Sequence, residues 1–394
     1  MRQPLVTIVT PSFNQGRFIR QTIESVLAQD YPRIEYIVMD GGSTDETAAV
    51  VKEYDGRLSW FSEKDRGQSH AINKGFRMAQ GELVAWLNSD DLLLPGAVRH
   101  AVAAFERRPQ AGAVYGEGYL IDRNGEIKRR FPHTQAMNLW RLVHLSDFIL
   151  QQTVFFRKSV LEEVGYINEQ LHYTMDWDVL IRIAKRYPLE YIGEFMAALR
   201  EYAEAKSSSG GLTRVREIRD MLRSHSGMRF PPGYIVYGLD TYQGIWCDWV
   251  GKHAPAAVRE PLAGAIRTVC STYIGKTIME AQGWYPDRWA GPTVKWMSPP
   301  GEGTLAVTGR LPDLGGPLDG QVLEVRENGH VLGRQPLEPG PFHLEIEPRG
   351  ARDEVVNLTL HASRFVIPEP VMGGHDRRRI SYYLDAIRRV SAAS

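Results

Sequence analysis

The sequence predicts an α/β domain on a mostly parallel sheet, then a helical stretch, then a β-sandwich. Three observations carry this. Up to about residue 205, short β-branched or aromatic runs alternate with stretches of period 3.6. Residues 226–285 read as helical and aromatic-rich, punctuated by Pro231-Pro232. After Pro286, short alternating runs are separated by Gly, Pro and Asn. The expected division is 1–225, 226–285 and 286–394.

In chain order, buried strands are expected at 5–10, 34–40, 58–62, 83–88, 113–119, 153–157 and 189–195. Amphipathic helices are expected at 18–29, 45–53, 68–79 and 96–106. Strand–helix alternation favours parallel pairing with right-handed crossovers. Ligands of such sheets bind outside the carboxyl ends of the strands. Lys206-Ser207-Ser208-Ser209-Gly210-Gly211 reads as a loop or hinge. In the last part, runs at 304–307, 321–327, 330–334, 342–347 and 355–362 supply the sandwich. Glu327-Asn328-Gly329-His330 signals a two-residue hairpin, because Asn-Gly tolerates positive φ at both central positions.

Composition narrows the function classes. The 394 residues carry 47 Lys+Arg and 47 Asp+Glu, so the net charge is zero. That argues against a dedicated nucleic-acid binder. Charged residues at 24% and hydrophobic ones at 43% rule out wholesale disorder. Two cysteines, Cys247 and Cys270, exclude a disulfide scaffold and fit a reducing compartment. No apolar run approaches the ~20 residues of a membrane span. The opening residues lack the features of a secretory signal. A cytoplasmic location is expected, with any membrane contact peripheral and on the cytoplasmic face.

Chemistry is expected where strands end. Thr10-Pro11-Ser12-Phe13-Asn14-Gln15 leaves the first strand, and its hydroxyls and free N–H groups suit an anion or nucleoside, or a capped loop. Met39-Asp40-Gly41-Gly42-Ser43-Thr44-Asp45 ends the second. Ser43, Thr44 and Asp45 suit a helix cap, whereas Asp40 is placed to accept from a base or ribose. Leu83-Val84-Ala85-Trp86-Leu87 runs into Asn88-Ser89-Asp90-Asp91. Adjacent carboxylates repel and are costly to desolvate. A divalent cation relieves both effects, and hard oxygen ligands suit Mg²⁺ or Mn²⁺. Helix capping before Pro95 is the alternative. Met175-Asp176-Trp177-Asp178 opens another helix, where a carboxylate serves as a cap, a general base, or both.

Taken in order, TPSFNQG, MDGGSTDET, EKDRGQSHAINKGFRMAQGELVAWLNSDD and MDWDVLIRIAKR resemble the family 2 glycosyltransferases. The resemblance covers residues 4 to about 205. It implies the GT-A fold and inverting transfer of a sugar from a nucleotide-diphosphate donor. It implies that Thr10, Pro11 and Asn14 line the nucleoside pocket, that Asp40 contacts the base, and that Asp45 orders the adjoining turn. Gln68 to Lys74, including Asn73, would lie beside the ribose and phosphates. Asn88-Ser89-Asp90-Asp91 matches the DxD-type motif with Asn for the first acid. Asn88, Ser89 and Asp90 would meet the donor, and the metal would rest on Asp90 and especially Asp91. Asp176 aligns with the catalytic base, with Met175 in place of the usual preceding acid. Gln151, Gln152, Trp177 and Asp178 would face the acceptor. Arg200 would reach a phosphate, near a closing loop hinged at Gly210-Gly211.

The C-terminal part resembles, more weakly, the β-sandwich attached to some bacterial polysaccharide glycosyltransferases, through residues 284–292 and 375–381. A carbohydrate-binding role is one expectation for it. The implied acceptor is a glycan or lipid-linked saccharide of bacterial surface polysaccharide synthesis. Two other readings stay open at this stage. One is a nucleotidyltransferase, which lacks its usual glycine-rich basic loop here. The other is a non-catalytic glycan-binding protein.

Overall fold

The structure is a computed structural model that describes residues 3–202, 210–285, 287–314, 316–350, 354–368 and 378–390. The chain packs as two compact units. The first is Met1–Met137 with Asp147–Glu217, the second Asn138–Ser146 with Ile218–Ser394. In chain order the elements are β1 (Val6–Ser12), α1 (Gly16–Leu27), β2 (Ile34–Asp40), α2 (Thr47–Lys52), β3 (Ser59–Ser62), α3 (Gln68–Met78), β4 (Leu83–Trp86), β5 (Leu92–Leu93), α4 (Ala97–Arg107), β6 (Ala113–Ile121) and β7 (Ile127–Arg130). Then follow α5 (Leu139–His144), a 3₁₀ turn over Gln151–Thr153, β8 (Phe155–Arg157), α6 (Lys158–Glu163), α7 (Met175–Ala184), β9 (Leu189–Arg200), α8 (Gly211–Ser226), α9 (Pro232–His253) and α10 (Ala256–Gln282). The chain ends with β10 (Trp289–Ala290), β11 (Thr293–Ser298), β12 (Thr304–Leu311), β13 (Val322–Glu327), β14 (His330–Pro336), β15 (Gly340–Ile346), β16 (Val356–Ala362) and β17 (Tyr382–Val390).

The first unit holds one sheet in the order β3-β2-β1-β4-β8-β6-β9-β5, with β7 pairing β6. The strands β1 to β4 pair in parallel, and β6 pairs β9 in parallel. The β4–β8, β8–β6, β6–β7 and β5–β9 pairs are antiparallel. The sheet is therefore mixed, not mostly parallel: the expected strand β8 runs antiparallel to both neighbours, and β5 and β7, two and four residues long, are too short for a periodicity signal. Every residue of β1 and β4 is buried, as for strands covered on both faces. Helix α1 turns Phe18, Ile19, Ile23 and Val26 onto the sheet at helical spacing. Helix α3 lies unusually close to β1, since a Cβ at Gly75 would stand 2.4 Å from Val9 Cγ1. That approach brings the α3 N-terminus beside the ends of β1 and β4.

The second unit holds two antiparallel sheets, β10-β17-β12-β15 and β11-β16-β13-β14, which share one apolar core around Leu305, Val307, Leu323, Val325, Leu360 and Tyr382. This is the appended β-sandwich. The β13–β14 turn places Asn328 at φ 47° and Gly329 at φ 87°, the left-handed pair an Asn-Gly hairpin requires. Among the described residues no helix is long and apolar enough to cross a membrane.

Candidate active site

The carboxyl ends of β1 and β2 are knitted together by short polar side chains. Thr10 and Pro11 are buried, and the Thr10 hydroxyl meets the Tyr36 hydroxyl at 3.1 Å. Asn14 adopts φ 52°. Its N–H donates to Ser43 Oγ at 2.8 Å and its Oδ1 accepts from Thr44 N at 2.9 Å. Asp45 accepts from Gly16 N at 2.9 Å and from Thr47 N at 3.0 Å, so it ties the starts of α1 and α2. The Asp40 carboxylate is buried and accepts from Ser43 N, Ser43 Oγ and Ser62 Oγ. With three of about four acceptor positions taken, one stays available on Oδ1. Ser12 Oγ, at the end of β1, is buried and has no hydrogen-bond partner.

The turn after β4 carries the acids. Asp91 is 1% exposed. Its Oδ1 accepts from Arg200 N at 2.9 Å, its Oδ2 from Gln152 Nε2 at 2.7 Å and Asn88 Nδ2 at 3.0 Å. Asp90 is half-buried, and its Oδ2 accepts from the Tyr202 hydroxyl at 2.7 Å. Burial pushes the Asp90 carboxyl above the ordinary carboxylate range, with the Tyr202 bond pulling the other way. Burial and then the Asp90 charge push Asp91 up as well. A cation brought to this turn would favour both ionised forms. Among the described residues no group of three His, Cys, Asp or Glu converges on one point. The partly exposed Asp90 carboxylate still fits a hard cation, with diphosphate and water completing its ligands in the manner of Mg²⁺.

Asp176 stands half-buried in the first turn of α7, its Oδ1 accepting from Trp177 N at 2.9 Å. Helix α3 joins this helix to the acidic turn. Gln68 Nε2 donates to Asn88 Oδ1 at 2.8 Å, and the next residue, Ser69, donates its hydroxyl to Met175 Sδ at 2.8 Å. Two consecutive side chains thus fix the Asn88–Asp91 turn on one side and the start of α7 on the other. The loop before α7 is held by Glu217, whose carboxylate accepts from the N–H groups of His172, Tyr173 and Thr174.

A model of the family described as Glycosyl transferase family 2 matches residues 7–165. An uncharacterized glycosyltransferase of Mycobacterium tuberculosis is 32% identical over 185 residues, covering 46% of this chain and 69% of that protein. The chain belongs to glycosyl transferase family 2. The chondroitin synthase of Escherichia coli is 27% identical over 196 residues, 49% of this chain and 28% of that one. A solved mannosyltransferase from Pyrobaculum calidifontis, in complex with GDP-Man and Mn²⁺, is 18% identical with a TM-score of 0.47, covering 71% of this chain and 85% of that one. The chain spans 35% of the length of its Rickettsia felis relative. Family membership and the parallel order β3-β2-β1-β4 identify the first unit as a GT-A fold.

Other expected site residues of this family 2 chain are turned inward. Gln151 donates to Trp86 O at 3.0 Å, Gln152 is bound to Asp91, Trp177 is buried, and Asp178 pairs with Arg182 at 2.8 Å. Asn73 holds the loop before α7, donating to Ile167 O at 2.9 Å and accepting from Ile167 N at 3.0 Å. Lys74 pairs with Glu63, and Ser89 is buried. Arg200, expected near a phosphate, ends β9 and is 2% exposed. Its Nε donates to Asp90 O at 2.7 Å, Nη1 to the carbonyls of Asp122 and Arg123 at 3.0 Å each, and Nη2 to Gln21 Oε1 at 2.7 Å. Four of its five N–H donors are engaged inside the fold. Gly210 and Gly211 are described, whereas residues 206–209 of the expected closing loop, and 375–377 of the C-terminal motif, lie outside the described residues.

Sequence reasoning missed Tyr202, Glu217 and Asp147, whereas the orphan hydroxyl of Ser12 falls in the segment expected to hold an anion or nucleoside. Tyr202 carried one usable signal, its place just after a strand end. Asp147 and Glu217 carried none, because they meet the α7 start across 29 and about 43 residues of chain.

Proposed function

We propose that the chain transfers a sugar, with inversion, from a nucleotide-diphosphate donor to a hydroxyl of a glycan or glycolipid acceptor in bacterial surface polysaccharide synthesis. The observation that carries this reading is the double tether of α3. Gln68 and Ser69 hold the acidic turn and the Asp176 helix beside each other at the carboxyl ends of β1 and β4. Asp40 Oδ1 and Ser12 Oγ are the groups left for the nucleoside.

In this reading Asp90 is the principal protein ligand of a divalent cation, and Asp91 keeps the turn in shape through its set of internal bonds. Mg²⁺ or Mn²⁺ bound there would offset charge on the departing nucleoside diphosphate. Asp176 accepts the proton of the acceptor hydroxyl as that oxygen attacks the anomeric carbon from the face opposite the leaving group. A single displacement of this kind inverts the centre. A positioned base contributes about 10²–10⁴-fold. The relationship to chondroitin synthase supports a glycan acceptor.

A panel of nucleotide sugars with Mn²⁺ or Mg²⁺, read by thermal shift, tests the donor assignment. A donor at about 100 times its dissociation constant should stabilise the chain by about 2.7 kcal/mol. Stabilisation by nucleoside triphosphates alone, with pyrophosphate release, would support a nucleotidyltransferase instead.

A further inference from the structure

Helices α9 and α10 follow one another through Ala254-Pro255 and pack side by side, so they form an antiparallel hairpin. Their shared seam is marked by the Cys247 thiol against the Ala263 carbonyl at 3.7 Å, and by buried Val250 and Cys270. At 3.6 residues per turn, a second stripe runs along α9 about a quarter-turn from that seam. It consists of Ile235, Leu239, Tyr242, Trp246, Trp249 and His253. The steps are four, three, four, three and four residues, the rhythm of a helix seam that receives a second helix. Trp249 is 60% exposed and Trp246 47%. The rings are ordered along the stripe: Tyr242 stacks on Trp246 at 5.6 Å and Trp249 on His253 at 5.1 Å.

Helix α10 carries a matching stripe of exposed Val258, Leu262, Val269 and Tyr273. In an antiparallel pair both stripes fall the same way round from the shared seam, so they lie on one face of the hairpin. The opposite face of α9 is the more polar one, with Asp240, Asp248 and Lys252, the last two ion-paired at 2.6 Å, beside exposed Ile245. Aromatic and branched groups thus concentrate on the striped side of the hairpin, where Tyr242, Trp246, Trp249, Val269 and Tyr273 stay exposed among the described residues.

We propose that this face seats a second copy of the chain, the two hairpins stacking through a two-fold axis into a four-helix bundle. Three arguments favour a second copy over a lipid surface. The three-four rhythm fits the grooves of another helix. The two helices carry Asp240, Asp248, Glu260 and Glu280 against Lys252, Arg259, Arg267 and Lys276, so they offer no net attraction to anionic headgroups. The area also suffices. A 22-residue helix is about 33 Å long, and two helices about 10 Å wide give roughly 700 Å² per copy. The pair would cover about 1,400 Å² in total, within the range of stable interfaces.

Sedimentation equilibrium of the full chain at micromolar concentration tests the proposal. The expected result is a dimer that the double change Trp246→Glu, Trp249→Glu weakens about 100-fold or more, as for loss of two aromatic anchors. Asp248→Asn, on the polar face, should leave the dimer intact. Circular dichroism checks that the double variant folds; if it does not, Tyr242→Lys and Val269→Lys are read instead. A monomeric wild type would overturn the proposal, as would a dimer indifferent to these changes. Flotation of a monomeric wild type with phosphatidylglycerol–phosphatidylethanolamine vesicles, lost in the Trp variants, would assign the face to a membrane.

Discussion

The Tyr202 hydroxyl donates to Asp90 Oδ2 at 2.7 Å, and so joins the segment after β9 to the acidic turn after β4. Its ring also packs on Phe18 of α1, with centroids 5.2 Å apart. The acid proposed to hold the metal is thus oriented from a part of the chain 112 residues away. Tyr202→Phe keeps the ring and removes one hydrogen bond to a carboxylate, a contact of about 1.5–3 kcal/mol. We expect roughly tenfold weaker Mn²⁺-dependent nucleotide binding by calorimetry, with the thermal midpoint little changed. Unaltered binding would remove Tyr202 from the account.

Arg200 is predicted to act on stability. Replacing it with Met leaves three carbonyls and Gln21 without their donor and takes a cation from beside Asp90 and Asp91. Breaking a buried charged set costs about 3–5 kcal/mol. For a unit of this size that lowers the midpoint by roughly 10 °C. A variant with wild-type stability but weakened donor binding would restore the phosphate-contact reading.

Glu217 is predicted to set the position of Asp176. Its carboxylate gathers three backbone N–H groups and the Thr174 hydroxyl immediately before α7. Glu217→Ala should lower kcat about tenfold while donor KM stays nearly constant, since the helix start is released and the nucleoside side is untouched. Glu217→Gln retains one acceptor oxygen and should recover part of the rate. Equal losses in the two variants would mean that the contact is not what matters.

The strands that build the nucleotide side were legible, because β1, β2 and β4 are short runs rich in β-branched or aromatic residues that end in polar turns. The Asn328-Gly329 hairpin was legible for a local steric reason. What the sequence hid were contacts between distant segments. Arg200 read as a loop residue because its five partners are spread from Gln21 to Arg123. Gln151 and Gln152 stand just before the strand expected at 153–157, and they form a 3₁₀ turn facing Trp86 and Asp91. The Asp90-Asp91 pair announced itself, but which acid is accessible depends on burial, which no spacing reveals.

Asp147 gives a pH-dependent prediction. Burial, then the charge of Asp176, hold its carboxyl well above its ordinary value, and its charge is also felt by Tyr115. The folded chain therefore binds this proton more tightly than the unfolded chain. That contribution is full below the unfolded value of about 3.9 and is lost as pH rises through the higher folded value. Asp147→Asn removes the ionisation. Its thermal midpoint should gain on the wild type as pH rises from acid toward neutrality. Parallel midpoint curves would rule the coupling out.

Asp176 is proposed as the base of a sugar transfer at the site framed by Gln68 and Ser69. Asp176→Asn preserves the size and the Oδ1 acceptor, and removes the basic oxygen. Single-turnover transfer with a donor found by the thermal-shift panel, measured beside donor binding, tests it most directly. Donor affinity is expected within about twofold of wild type, with transfer slowed by about 10²–10⁴-fold. Transfer at the wild-type rate in Asp176→Asn would contradict it.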